Sequence, residues 1–192
     1  MKTLYKSEQS GRSMVEMLGV LAIIGVLSVG GIAGYSKAMA KFKTSKALDQ
    51  VSTTVANVRT LYSGQPNYSG LTTEIAIKMG AIGAEMLSGQ SPTSAKVAYN
   101  AFNGEVTISA TTVSGRDNAG FTLVFSGLSK EACVQMASSD WGSGSGSGLV
   151  SVQAGTATAG TTASGTLPLN LATAAGGCNQ EGDANKVTWV YY

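Results

Sequence analysis

The chain of 192 residues contains no histidine. That removes the commonest general base and the commonest metal ligand. The pairs Ser36-Lys37, Ser45-Lys46 and Ser129-Lys130 do not restore a nucleophile and base, because neighbouring residues on a helix do not face each other. No catalytic residue, metal site or cofactor is assigned, and an enzyme is not expected. Charge is scarce as well: 12% of residues are charged, about half the usual share, while 25 glycines with many Ser, Thr and Ala make a small, neutral surface. A domain so thinly charged tends to associate. The net charge of +2 gives no global field for nucleic acid, so a nucleic-acid partner is not expected beyond a local contact. Cysteine occurs twice, at 133 and 178, and never at CxxC spacing, which leaves out the usual metal and redox frameworks.

What the chain does have is a long apolar run. Met14 to Ala33 is interrupted by one charge, Glu16, and follows a polar leader, MKTLYKSEQSG, that ends at a Gly11-Arg12 junction. Between Glu16 and Lys37 lie 20 uncharged residues. As a helix they extend about 30 Å, the thickness of a bilayer core. A cleaved secretory signal has its cleavage site after the apolar stretch, whereas here the small-residue junction comes before it. Glu16 needs an account, since a carboxylate within the bilayer costs on the order of 2 to 3 kcal/mol. Two are open. It lies at headgroup depth, or it pairs with a cation: cleavage after Gly11 would leave the amine of Arg12 four residues away, able to neutralise Glu16 of a neighbouring subunit.

Glycines 19, 25, 30, 31 and 34 predict a helix softened around Gly30 to Gly34, and they also permit close approach of membrane helices. Tyr35, Met39 and Phe42, then Leu48, Val51, Val55, Val58 and Tyr62, recur at helical steps and carry the helix to about Tyr62, where Gly64 and Pro66 stop it. Lys37, Lys41, Lys43 and Lys46 occupy mostly other faces, as a solvated surface or a stripe for a polyanion. A second helix is predicted over 72–88, with Thr72 or Thr73 as cap and Ile75, Met79, Ile82 and Met86 at helical spacing.

Beyond Pro92 the period changes to two. Runs at 97–102, 105–110 and 121–125 predict antiparallel strands packed on the first helix, and Ser129 caps a short helix carrying Cys133 and Met136. Residues 141–180 hold no charge and include GSGSGSG at 142–148; this reads as a surface loop region, with short strands suggested near 149–152 and 167–171. Val187 to Tyr192, V-T-W-V-Y-Y, is the strongest strand signal and belongs inside the sheet, because an exposed aromatic edge would aggregate. Two cysteines in an exported domain predict a Cys133–Cys178 disulfide, with two free buried thiols as the alternative. The bridge would enclose 44 residues and stabilise by roughly 4 kcal/mol.

The stretch G-R-S-M-V-E-M-L-G-V-L-A-I-I-G-V-L-S-V-G-G-I-A resembles the class III signal of type IV prepilins. In that family a peptidase cuts after the glycine and methylates the new terminal amine, and a glutamate stands at the fifth mature position. Gly11, Arg12 and Glu16 match one by one, although the family usually has an apolar residue where Arg12 stands. Farther along, F-T-L-V-F-S-G-L-S-K-E-A-C-V-Q-M is similar to the strand, turn and cysteine-bearing helix of type IVb pilins, the PilS type in particular.

The resemblance implies an α+β type IV pilin fold, a long N-terminal helix, half transmembrane and half amphipathic, packed on an antiparallel β-sheet. It implies a leader at 1–11, a transmembrane and assembly helix at 12–36, and a periplasmic or extracellular domain at 37–192 with a disulfide-bounded region at 133–178. The implied site residues are Gly11 and Arg12 for cleavage, Arg12 for N-methylation and Glu16 for assembly. Its implied partners are further copies of itself in a helical polymer, the prepilin peptidase, the inner-membrane assembly machinery, and a surface receptor or recipient cell. The precursor would sit in the bacterial inner membrane and the assembled form in an extracellular pilus serving adhesion, cell contact or conjugation. A pseudopilin of type II secretion is the nearest alternative; a signal-anchored periplasmic binding module that never polymerises is another.

Overall fold

A computed structural model of the chain describes residues 14–142, 144 and 146–192. It divides into two units, one ending at Lys41 and one comprising Phe42–Tyr192. The first helix, α1, spans Met14–Tyr62. Within the first unit it stays helical through Gly30, Gly31 and Gly34, so the softening expected there does not break it. The hydroxyls of Ser28 and Ser36 donate back to the carbonyls of Ile24 and Ile32, at 2.7 and 3.0 Å. Every side chain from residue 14 to residue 38 is exposed.

In the second unit α1 buries Thr44, Ala47, Gln50, Val51, Thr54, Val55 and Val58, a stripe at steps of three and four. Phe42 was expected on this face and is instead 62% exposed. Nine positions at about 100° each place it half a turn from Val51, on the side of the helix opposite the buried stripe. Gln50 is tolerated within the stripe because its Oε1 accepts from the backbone N–H of Ala101 at 3.0 Å.

The second predicted helix is much shorter than expected. Helix α2 covers Thr73–Lys78, capped by Thr72, whose hydroxyl accepts from Ile75 N–H at 3.3 Å. Gly80 then turns the chain at φ +75°, which a side-chain-bearing residue rarely adopts, and only a 3₁₀ turn at Ala84–Met86 follows. The four apolar residues therefore do not share a face: Ile82 and Met86 are buried, Ile75 and Met79 exposed.

The sheet is antiparallel throughout, in the order β1-β2-β3-β6-β4-β5. Its strands are β1 Ala98–Tyr99, β2 Glu105–Val113, β3 Arg116–Leu128, β4 Leu149–Ala154, β5 Gly160–Thr161 and β6 Asn185–Tyr191. Strand β1 is only two residues of the six expected. Asn100 ends it by accepting from Phe102 N–H and Gly104 N–H while its Nδ2 donates to Ser126 O. The last strand, β6, lies between β3 and β4 with Val187, Trp189 and Tyr191 turned into the core. Two helices complete the unit, α3 Lys130–Ser138 and α4 Leu171–Gly177. No strand forms near 167–171: residues 167–170 are irregular and helix α4 begins at Leu171. Asn170 accepts from Thr173 N–H at 2.8 Å, and that cap wins over a brief leucine alternation: Leu169 is buried and Leu171 is 66% exposed.

Aromatic rings bind the layers together. Tyr62, Tyr68, Phe121 and Tyr191 form one chain with centroids 5.2, 5.0 and 5.7 Å apart. Phe125, Trp189 and Trp141 meet edge to face in a second, each such pair adding about 1 kcal/mol beyond area burial.

Candidate functional site

Two regions carry the functional reading, and each lies within one unit. In the first, Glu16 occupies the first turn of α1 and is exposed, as are Met14, Val15, Leu18, Leu21, Ile23 and the apolar side chains after them. The helix N-terminus favours an acid there, and no other charged residue follows until Lys37. This is the one described helix long and apolar enough to cross a membrane. Apolar residues cover its whole circumference, which a helix in water does not sustain without lipid or partner helices. Gly11 and Arg12 lie outside the described residues.

In the second unit, Cys133 on α3 and Cys178 at the end of α4 are joined as a disulfide, with Cα atoms 5.9 Å apart. Both are buried. Ser129 caps α3 and Asn170 caps α4, so the bridge links two helices that are each locally fixed. Between them runs an open groove of about 500 Å³, lined by Val134, Gln135, Ser138, Leu171, Ala175 and Cys178. The chain past the bridge is held by Asn185: its Nδ2 donates to Leu128 O and Gln180 O, and its Oδ1 accepts from Gln180 N–H at 2.9 Å.

The described residues of the glycine-serine run, 142, 144 and 146–148, are anchored rather than linker-like. Arg59 Nη1 donates to Ser147 O at 2.6 Å. The Ser147 hydroxyl donates to the carbonyls of Gly142 and Gly144, and Gly142 N–H donates to Asp140 Oδ1 at 2.9 Å. Gly148 sits at φ +73° directly against the Arg59 guanidinium, and its carbonyl accepts from Tyr192 N–H at 2.7 Å. Arg59 thus ties α1 to the loop, and Gly148 ties the loop to Tyr192.

The same guanidinium shapes two phenols. Burial pushes Tyr191 up to about 12, with Arg59 opposing. Burial also raises Tyr68, again against the pull of the Arg59 charge and its hydrogen bond. Sequence reasoning missed Arg59, although it is the single charge between Asp49 and Glu74 and stands on a helix whose opposite neighbours are core residues. It also missed α4 and the groove, because nothing but the Asn170 cap marks a helix of alanines and glycines. Among the described residues, no cluster of Cys, Asp and Glu stands together that could hold a metal ion.

A family model described as PilS N terminal matches residues 41–192. The major structural subunit of the bundle-forming pilus from Escherichia coli O127:H6 (strain E2348/69 / EPEC) is 28% identical over 196 residues, covering 98% of this chain and 97% of that protein. The same subunit from Escherichia coli O111:H- is also 28% identical, over 193 residues. Among solved structures, a type IV b pilin from Salmonella typhi superposes with a TM-score of 0.58 at 21% identity, over 76% of this chain and 97% of that one. That likeness shows the fold.

Proposed function

Because the chain belongs to the PilS family of type IVb pilins, matched over 41–192, we propose that it is the precursor of a structural subunit that polymerises through its N-terminal helix into an extracellular filament. The observation that carries this reading is the helix of the first unit, apolar on every side and exposed from residue 14 to residue 38. A folded, disulfide-linked α+β domain and relatives that are pilus subunits support it.

In this reading residues 1–11 are a leader, 12–36 the membrane and assembly helix, and 37–192 the exported domain. Prepilin peptidase cuts between Gly11 and Arg12 and methylates the Arg12 amine. The precursor waits in the inner membrane for the assembly machinery. Passing from lipid into a bundle of like helices changes apolar exposure little, so specificity must come from close packing and from polar pairing. Glu16 supplies the polar part by meeting the Arg12 amine of a neighbouring copy. The disulfide-bounded region, with α3, α4 and their groove, is then a contact surface for a receptor or a recipient cell.

The test is Glu16→Ala. Expression, membrane insertion and cleavage should be unchanged, while sheared-surface filaments counted by electron microscopy should fall sharply. Normal piliation would remove Glu16 from assembly. Intact mass of the sheared fraction reads the processing: a chain beginning at Arg12 supports it, and full-length protein confined to the membrane sinks it.

A further inference from the structure

The end of the apolar segment has a chemistry of its own. Tyr35 is the one aromatic residue between Met14 and Lys41, and it is 67% exposed. Lys37 and Lys41 follow it, both exposed and one helical turn apart on the same face. Like charges at that spacing destabilise a helix by a few tenths of a kcal/mol unless an anion answers them. Among the described residues no ion pair is recorded for either lysine, and the nearest acidic residues in sequence are Glu16 and Asp49. Along α1, Glu16 and Lys37 are separated by about 32 Å, so a bilayer core of about 30 Å that begins just past Glu16 ends at Tyr35 and Lys37. Tyrosine and lysine at one depth are what a membrane–water boundary selects, the ring at headgroup level and the ammonium reaching to phosphate.

We propose that Tyr35, Lys37 and Lys41 form a collar that binds the phosphate headgroups of anionic phospholipid where the span ends, setting the depth at which the precursor rests before assembly. This deepens the membrane reading of residues 12–36 and rests on it. Leaving the bilayer for a filament then means giving up these contacts. The collar holds the waiting subunit, whereas Glu16 recruits it.

The experiment reconstitutes the full chain in phosphatidylcholine vesicles carrying spin-labelled phosphatidylglycerol or spin-labelled phosphatidylcholine, and compares the motionally restricted fraction of each. The wild-type chain should prefer phosphatidylglycerol. The Lys37→Gln/Lys41→Gln chain should show that preference reduced at least five-fold, the worth of about one surface lysine. Salt of about 1 M, where screening acts within about 3 Å, should have the same effect. Lys96→Gln, in the second unit, should leave it unchanged. A preference retained by the double variant overturns the collar. Restricted lipid without any headgroup preference overturns it too while leaving membrane insertion standing; no restricted lipid at all overturns the insertion beneath it.

Discussion

Replacing Gly148 by alanine should damage the domain through a residue almost 90 positions away in sequence. Gly148 has φ +73°, a region that costs a residue with a Cβ about 1 kcal/mol or more. A Cβ there would overlap Arg59 Nη2 and stand 2.6 Å from its Cζ. The guanidinium is the far end of a flexible side chain and will move. In moving it gives up its bond to Ser147 O, and a bond from a charged donor contributes about 2 kcal/mol. Gly148→Ala is thus expected to destabilise by about 3 kcal/mol, and Arg59→Met, which keeps an apolar stem but loses the bond, by about 2 kcal/mol. The double variant loses that bond only once, so it should fall about 3 kcal/mol below wild type rather than 5, a coupling of about 2 kcal/mol. The assay is urea unfolding of the full chain in detergent, followed by tryptophan emission, since Trp141 and Trp189 report on the loop and the core. Losses that add to within about 0.5 kcal/mol would show that Arg59 does not hold the loop.

Removing the bridge with Cys133→Ser/Cys178→Ser should lower stability by roughly 4 kcal/mol in the same unfolding assay, and an unchanged midpoint would show that the two helix caps suffice without it. Alkaline pH should act through Tyr191. Its folded pKa of about 12 lies above the unfolded value of about 10, so the unfolded chain releases the proton first. The resulting stability is complete below about pH 10 and is lost as pH rises toward 12, by up to about 1.4 kcal/mol per unit. Tyr191→Phe should flatten that slope, and an equal slope in the variant would assign the alkaline loss to other groups.

What could be read from the residues depended on how far apart the determining partners lie. The long helix, the strands over 105–110 and 121–125 and the central place of β6 follow from local periodicity and from the need to hide an aromatic edge, and each is present. Helix 72–88 failed at Gly80, where one backbone angle outweighed four well-spaced apolar residues. The 167–171 strand failed because an asparagine cap decides the conformation before side-chain alternation can. The glycine-serine run is flexible by composition, yet Arg59 holds its Ser147 from a distance that no local window spans. The apolar length of α1 was legible because it is a property of a single segment, a plain run of uncharged residues at helical rise. The groove beside the disulfide was not, since it exists only after α3 and α4 have met.

The place of β6 also sets the order of folding. A chain emerges N-terminus first, and β6 follows the other described strands although it is the one among them that connects β3 to β4. Until residues 185–191 arrive, the sheet is two separate fragments, β1-β2-β3 and β4-β5, each with an open edge where the missing strand belongs. The sheet therefore cannot be joined before this strand is made. This one strand joins the two halves of the sheet, and a chain lacking residues 185–191 has two unpaired edges rather than a slightly smaller sheet.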